Sequence, residues 1–573
     1  MLYVRYDKPK NLVKEEFSAY VSFKWSQAYV DGIKTLPLRY WIPQQKEWEI
    51  PVQMVPLLNK IGEVKELNQI IDDDKNKIQI DENEFKTKPF KHQLEGVIYG
   101  IEHPSWLLGD QQGLGKTKQM IDLAVWKKRH QGIKHCLIIC CVNNLKYNWL
   151  NEIKVHSNES ACVLGVKKKG KEPSMQDRID HLKYGPEEFF WITNIESLRV
   201  KKDSRINRYK SEFVDRLNSY LMNGDIGMIV VDEIHKCKNS TSAQGRGLLQ
   251  LKGANRVGLS GTLLVSKPLD LYTPLKFIGA VNKSQWEFDR YYSSRDYFNN
   301  IVGYQHLDQL QVLMDMNMLR RTKDLLDLPP KLEKIEYIEL SNEERKLYNA
   351  IEQDIRQEIR TDANLIKSPA SVLAKLTRLR QVSTHTGLVS DKVIASSKFE
   401  RLKDILEEAQ DNGEKVIVFT MFRKLAEMAM EEFKEYNPYH IWGQMNQVEL
   451  QDQVNGFQEG NNFKVLFGVI QAAGTGITLN TASIVVFLDL PWDTATMEQA
   501  EDRAHRIGTK KTVTCIRLIA KDTYDERVWR RVLSKGHMSK ALIDMEKIEN
   551  VSPFIDCVFV SGEYEDEDTR TLW

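Results

Sequence analysis

The sequence predicts an α/β protein with two parallel-sheet domains in tandem, each interrupted by helical insertions, behind a small α+β module. Three observations carry this. Short, near-continuous apolar runs alternate with helical segments from Phe90 to about Thr262, and again after about Glu408, as strands buried on both faces require. A glycine-rich stretch, GDQQGLGKT from Gly109 to Thr117, is followed by an apolar-periodic run from Met120 to Trp126, so it should feed a helix N-terminus. With 573 residues, 42% apolar and 28% charged, the chain is too long for a single core and has the composition of a soluble globular protein.

Composition also excludes some function classes. Lys and Arg number 81 against 80 Asp and Glu, so any face for nucleic acid must be local. The seven cysteines lack metal-ligand spacing, which favours reduced thiols in an intracellular protein, cytoplasmic in a prokaryote or its phage and nuclear in a eukaryote. No run of 18 apolar residues occurs and the N-terminus has no signal-peptide pattern, so neither a membrane partner nor secretion is expected.

Residues 1–84 read as the separate module. FSAYVSFKW alternates like a strand, SQAYVDGIKTL reads as a helix opening at Ser26, and LRYWIPQQKEWEIPV reads as two strands around a polar turn before a helical VPLLNKIGEV. Lys24, Trp25, Lys34, Arg39, Tyr40, Trp41 and Trp48 interleave cations with aromatic rings, a pattern that suits nucleic-acid backbone and base stacking; a small core filled by the tryptophans is the other reading. A polar stretch around IIDDDKNKIQIDENEFKTK then looks like a linker.

In the first parallel-sheet domain the expected strands are HCLIICC, FFWITN, MIVVDE and RVGLSGT. KKKGK at 167–171 and the cluster Arg199, Lys201, Lys202, Arg205 and Arg208 read equally as basic patches or solvated loops. Residues 263–330 look mostly helical up to the Pro329-Pro330 break. A helical stretch from Ser341 to about Glu408 precedes KVIVFT, YHIWG, KVLFGVI, SIVVFLDL and TVTCIRLIA, the strands of the second sheet.

Chemistry concentrates at four places. The Gly109–Thr117 stretch reads as a phosphate loop, with a plain glycine-rich turn as the other reading: Gly113 and Gly115 would let backbone N–H groups converge on an anion, Lys116 would supply a point charge, and the Thr117 hydroxyl suits magnesium. Asp110 stands where the general loop has its first glycine. MIVVDEIH puts Asp232 and Glu233 at the C-terminal mouth of a buried strand, one carboxylate for magnesium and one to activate water. QAAGTGITL offers Gly474 and Gly476 for close approach to a phosphate or a neighbouring backbone. DLPWDTATMEQAEDRAHRIGT reads as a helix capped at Asp493 and running to Gly508, with Gln499, Arg503 and Arg506 on one face. The two arginines suit fingers for a γ-phosphate held by the other domain, or ion pairs with Glu498, Glu501 or Asp502.

Taken in order, these motifs resemble helicase superfamily two, and within it the SWI/SNF branch of double-stranded DNA translocases. PFKHQLEGV, DQQGLGKT, NNLKYNWLNEI, DEIH, SGT and QAEDRAHRIGT carry the resemblance, with MLRRTKDLLDLPPK, LTRLRQVSTH and SSKFERLKDIL as stretches typical of the branch; it covers Phe90 to Leu542. The branch also has Asp at the position of Asp110. Departures are Gln111-Gln112, Ile234, Thr475 and Thr478. The resemblance implies RecA-like lobes at 85–332 and 333–545, a tail at 546–573, and an ATP- and magnesium-using DNA-dependent ATPase. It assigns Gln93 to adenine, Lys116 and Thr117 to the phosphates and metal, and Asp232 and Glu233 to metal and water. His235, Ser260, Gly261, Thr262 and Gln499 would couple the site to the rest of the motor, and Arg503 and Arg506 would be fingers. The N-terminal module is similar to the HARP module of annealing helicases, which implies contact with branched DNA through Lys24, Arg39, Tyr40, Trp41 and Trp48. The implied partner is duplex or branched DNA and the implied state a monomer. A remodeller of DNA-bound protein such as RNA polymerase, and a nucleotide-gated DNA clamp with little turnover, are the alternatives.

Overall fold

The computed structural model describes residues 1–533 except 9, 11–17, 25, 35, 37–38, 68–77, 79, 143–144, 166–172, 204–206, 254, 264–266, 327, 362–368, 392–394, 444, 474–476, 507 and 531. Trp25, the 167–171 basic run, Arg205, most of the polar linker, Gly474, Thr475, Gly476 and the tail at 546–573 therefore lie outside the described residues.

Two parallel sheets organise the chain, as the alternation of apolar runs predicts. The first has seven strands in the order Met318–Leu319, Ser105–Leu108, Arg256–Leu259, Ile226–Asp232, His135–Cys140, Phe190–Asn194 and Ala161–Val163. The second has six: Lys331–Ile338, Val513–Ala520, Ile484–Phe487, Lys415–Thr420, Lys464–Val469 and Tyr439–Ile441. Every pairing within them is parallel. In each lobe two apolar layers sandwich the sheet, because alternate side chains of a strand such as Ile226–Asp232 enter opposite layers: Ile229 and Val231 join one cluster, Met228 and Val230 the other. The Asp232 carboxylate emerges at the C-terminal edge of that sheet.

A third sheet of five strands, Tyr40–Ile42, Glu47–Pro51, Ser18–Ser22, Leu2–Asp7 and Val64–Glu66, is antiparallel except where Leu2–Asp7 meets Val64–Glu66. The helix Gln27–Lys34 covers it and buries Ile33. Val312 and Met316, from the insertion of the first lobe, pack against this same core, and Lys60 pairs with Asp308, so the module sits on the lobe.

Several elements differ from expectation: Ser105–Leu108, Ala161–Val163 and Met318–Leu319 join the first sheet without being among its expected strands, and the VPLLNKIGEV helix stops at Leu58 before Val64 opens a strand. Leu2–Asp7 and Lys331–Ile338 are not among the expected strands either; the first buries Leu2 and Val4 in alternation, and the second is a charge-rich edge strand whose side chains are all exposed or half-buried. The helix that opens at Asp493, whose side chain accepts from Thr496 N, ends at Glu501 instead of reaching Gly508. The Arg503 carbonyl is taken by Leu479 N at 2.8 Å, a partner outside the helix, so the chain leaves helical geometry there and both arginines sit in the turn that follows.

Candidate active site

The phosphate loop links the Ser105–Leu108 strand to the Lys116–Gln131 helix. Gly113 and Gly115 have φ of 90° and 76°, left-handed values that a side chain disfavours, and Gly115 is the residue that caps the helix. Lys116 Nζ donates to the carbonyls of Asp110 (2.8 Å) and Gln111 (3.3 Å). Burial lowers the pKa of this ammonium, against the opposing pull of Glu233, Asp110 and Asp232. Gln93 lies directly on the loop: its Oε1 accepts from Phe90 N at 3.0 Å, and its Nε2 approaches Leu114 O at 3.4 Å.

Asp232 ends its strand and Glu233 turns the chain, with φ of 53°, a strained value for a residue with a side chain. Asp232 Oδ1 accepts from Glu233 N (2.9 Å) and Oδ2 from the buried Trp149 indole (2.9 Å). Burial, with Glu233 alongside, raises the pKa of the Asp232 carboxyl. Burial would also raise Glu233, but His235, Lys116 and Arg503 outweigh it and hold that carboxyl below its usual range. His235 Nδ1 lies 3.2 Å from Glu233 Oε2 and 2.7 Å from Ser260 Oγ, which in turn accepts from Thr262 N at 3.0 Å. His235 thus touches both Glu233 and the Ser260–Thr262 segment.

The second lobe faces this loop. A Cβ placed on Gly113 would lie 3.4 Å from Arg506 Cβ, and Arg506 Nη1 donates to Thr478 Oγ1 at 2.8 Å. Arg503 is buried, reaches Ile477 O at 3.4 Å, and is close enough to Glu233 for the two charges to interact. Burial, with the Arg506 charge second, lowers the Arg503 guanidinium to about 10. Two carboxylates of the ion-pair reading have other partners at hydrogen-bond distance, Glu501 with Arg517 at 2.6 Å and Lys331 at 2.8 Å and Asp502 with Lys323 at 2.5 Å, while the Asp502 charge also acts on both Arg503 and Arg506. Gln499 is half-buried on the preceding helix.

Among the described residues, two buried polar atoms around the loop lack a well-formed hydrogen bond: Gln112 Nε2, a donor, and Glu233 Oε2, an acceptor whose near neighbour is His235 Nδ1 at 3.2 Å. Gln112 and Lys116 both border Gly261, where an added Cβ would come within 2.8 Å of Gln112 Cγ and 3.2 Å of Lys116 Nζ. An unmatched donor beside an ammonium, with a weakly bonded carboxylate oxygen nearby, fits a phosphate chain and a water. Thr117, in the first turn of the helix, and Asp232, at the sheet edge, are suited to hold a magnesium ion, since each Asp232 oxygen keeps a lone pair beyond its single hydrogen bond.

The SNF2-related domain profile matches residues 42–388, and the helicase conserved C-terminal domain profile matches residues 397–508. The chain belongs to the SNF2-related family. It therefore carries both halves of the family's helicase-like ATPase. Among curated relatives, the human SWI/SNF-related matrix-associated actin-dependent regulator of chromatin subfamily A member 1 is 27% identical over 81% of this chain and 46% of its own length. The mouse DNA annealing helicase and endonuclease ZRANB3 is 26% identical over 81% of this chain and 42% of its own. An uncharacterized ATP-dependent helicase of Mycoplasma pneumoniae is 27% identical over 94% of this chain and 50% of its own. The SNF2-related chain thus spans about half the length of these relatives or less. A solved Sulfolobus solfataricus SWI2/SNF2 ATPase core in complex with dsDNA has 23% identity and a TM-score of 0.34, over 83% of this chain and 97% of that one. Among the described residues no helix is long and apolar enough to cross a membrane.

Sequence reasoning missed the residues that brace the site. Arg321 holds the buried Asp110 with two bonds (Nε to Oδ1 3.0 Å, Nη2 to Oδ2 2.6 Å) and gives Nη2 to Gln119 Oε1 at 2.7 Å. Arg320 Nη1 donates to Gly109 O (2.5 Å) and Gly261 O (3.0 Å). Lys323 crosses to the other lobe, donating to Asp502 Oδ1 (2.5 Å) and His505 O (2.6 Å). The signal available was the MLRRTK stretch, which looked typical of the branch but suggested no role.

Proposed function

We propose that this chain is an ATP-driven translocase acting on double-stranded or branched DNA, with strand annealing or fork remodelling as its work. The observation that carries the reading is the approach of Arg503 and Arg506, from one lobe, to the phosphate loop and Glu233 of the other. A catalytic centre split between two lobes links hydrolysis to their relative movement, and such movement can be converted to stepping on a polymer held by both. The names of relatives, a DNA annealing helicase among them, support DNA as that polymer.

Within this reading Lys116 and the N–H groups of the loop bind and orient the phosphates. Glu233, held ionised by His235, Lys116 and Arg503, aligns a water and accepts its proton at the carboxylate. Arg503 and Arg506 offset charge that builds on the transferred phosphoryl group. A magnesium ion held by Thr117 and Asp232 would supply charge neutralisation across the phosphate oxygens when bound. Gln93, which abuts the loop beside the exposed Phe90, suits the adenine end.

We further infer that the N-terminal module, which is similar to the HARP module, contributes preference for branched DNA. Lys24, Tyr40 and Trp41 support this by being exposed, Trp41 at 46%, with the Trp41 and Trp48 rings 5.1 Å apart. Trp48 is half-buried against the module core and Arg39 Nη1 donates to Leu36 O at 2.5 Å, so these two fit a supporting role better than direct contact. The test is ATP hydrolysis measured with no DNA, linear duplex, a fork and a single strand. Stimulation by duplex or fork is expected; equal rates under all four conditions would contradict the translocase reading.

A further inference from the structure

The insertion after the Ser260–Thr262 segment carries a two-stranded antiparallel hairpin, Ser293–Arg295 with Ile301–Tyr304. Its base is anchored. Ile301 and Tyr304 pack on the first lobe's core, and Gln305 N donates to Tyr292 O at 3.1 Å.

Its tip is held by its own hydrogen bonds. Asp296 N donates to Asn300 O and Asn299 N to Asp296 O, each at 3.0 Å, while the Asp296 carboxylate accepts from Asn300 N (2.7 Å) and Asn300 Nδ2 (3.0 Å). Arg295 Nη1 donates to Asn299 O at 2.9 Å. Asn299 adopts φ of 66°, which asparagine tolerates. This closed turn projects Tyr297 and Phe298, 97% and 80% exposed, with rings edge to face at 5.6 Å.

Two adjacent aromatic rings left in water forgo burial that a slack loop could gain by folding back. A turn braced on both sides prevents that, so the pair is presented to a surface that the free chain lacks. Charge narrows the class of that surface. The tip's carboxylate, Asp296, is hydrogen-bonded within the turn but stays exposed and ionised, and Arg295 beside it offsets that charge, so the tip presents its two rings without net charge. The helix leading into the hairpin shows solvent an exposed Trp286 with the Arg290 guanidinium 5.0 Å over its ring, a cation and a π face together. The N-terminal module docks alongside, with Arg39 interacting with Tyr291 and Lys60 with Asp308. Flat exposed rings with Arg295 in the same turn, and a ring with its own arginine on the helix before it, suit unpaired nucleobases and the phosphates that link them.

We propose that Tyr297 and Phe298 stack on unpaired bases at a DNA branch point, so that the hairpin reads the junction while the lobes hold duplex. This rests on the translocase reading above. It is tested in the full chain with Tyr297→Ala/Phe298→Ala and with Tyr297→Leu/Phe298→Leu, which keeps apolar bulk and removes the π faces. The probe is a forked DNA carrying 2-aminopurine at the unpaired positions next to the junction, titrated for affinity and fluorescence, with hydrolysis on linear duplex measured in parallel. Stacking predicts that wild type quenches the 2-aminopurine. Both variants should lose quenching and about tenfold or more in fork affinity, while hydrolysis on linear duplex stays within about twofold. Undiminished fork affinity and quenching in the alanine variant would overturn the proposal, as would full retention by the leucine variant. In either case a wild type that is stimulated by duplex leaves the translocase reading standing. A wild type that neither binds nor responds to any DNA overturns both.

Discussion

Replacing Arg321 by methionine removes a charge and keeps a side chain of similar reach. In the native chain two guanidinium nitrogens lie 3.0 and 2.6 Å from the two oxygens of Asp110, whose exposure is 0%. After the substitution the Gln119 amide, at 2.9 Å, remains as a neutral donor to that carboxylate. Breaking a buried pair from one side costs about 3–5 kcal/mol, because the remaining charge keeps its desolvation penalty. For a lobe of this size each kcal/mol moves the unfolding midpoint by about 2–4 °C, so the first lobe should melt roughly 6–20 °C lower. Thermal unfolding followed by tryptophan fluorescence reads this directly, since Trp106, Trp149 and Trp191 all lie in that lobe's core. Asp110→Asn in the same chain as Arg321→Met removes the stranded charge, and the double variant should recover more than half of the loss. An unchanged midpoint in the single variant, or strictly additive losses in the double, would refute the assignment of Arg321 as the brace of the loop.

Other substitutions separate the remaining roles. Glu233→Gln should preserve nucleotide binding, read by equilibrium titration with a fluorescent ATP analogue, yet lower turnover roughly 10²–10⁴-fold if the carboxylate takes the proton. Trp149→Phe deletes the indole donor to Asp232 while filling most of its volume; the magnesium concentration that half-saturates hydrolysis should rise about 10–100-fold, and an unchanged value would mean that the contact does not orient the carboxylate. Trp41→Ala should weaken fork binding by about 5–150-fold, the range for one stacked base, while hydrolysis on linear duplex is unaffected. This point change is a cleaner test than deleting residues 1–84, because deletion would uncover Val312 and Met316 on the lobe.

The sequence was most legible where burial is two-sided. Strands such as Ile226–Asp232 and Lys415–Thr420 are nearly all buried, so their apolar runs stand out from any helical pattern. Lys331–Ile338 did not, because an edge strand with charged side chains carries no such run and is fixed by pairing with Val513–Ala520. The loop glycines, Lys116, Asp232 and Glu233 were readable since their chemistry depends on local spacing. The bond between Asp110 and Arg321 was not, for it spans 211 residues and exists only because Met318–Leu319 pairs beside Ser105–Leu108. The helix holding Gln499 was traced correctly at its start, where the cap is local, and too far at its end, where Leu479 captures the Arg503 carbonyl from a distant segment.

The central claim is that hydrolysis requires both lobes at once. Arg506→Ala tests it most directly, through single-turnover phosphate release with ATP bound and duplex DNA saturating. Arg506 backs onto Gly113 and its guanidinium is tied to Thr478 of its own lobe, so the substitution leaves the loop's glycines, lysine and carboxylates in place. The account predicts intact nucleotide and DNA binding with phosphate release slowed about 10³–10⁵-fold. Release at the wild-type rate in Arg506→Ala, and also in Arg503→Ala, would contradict it.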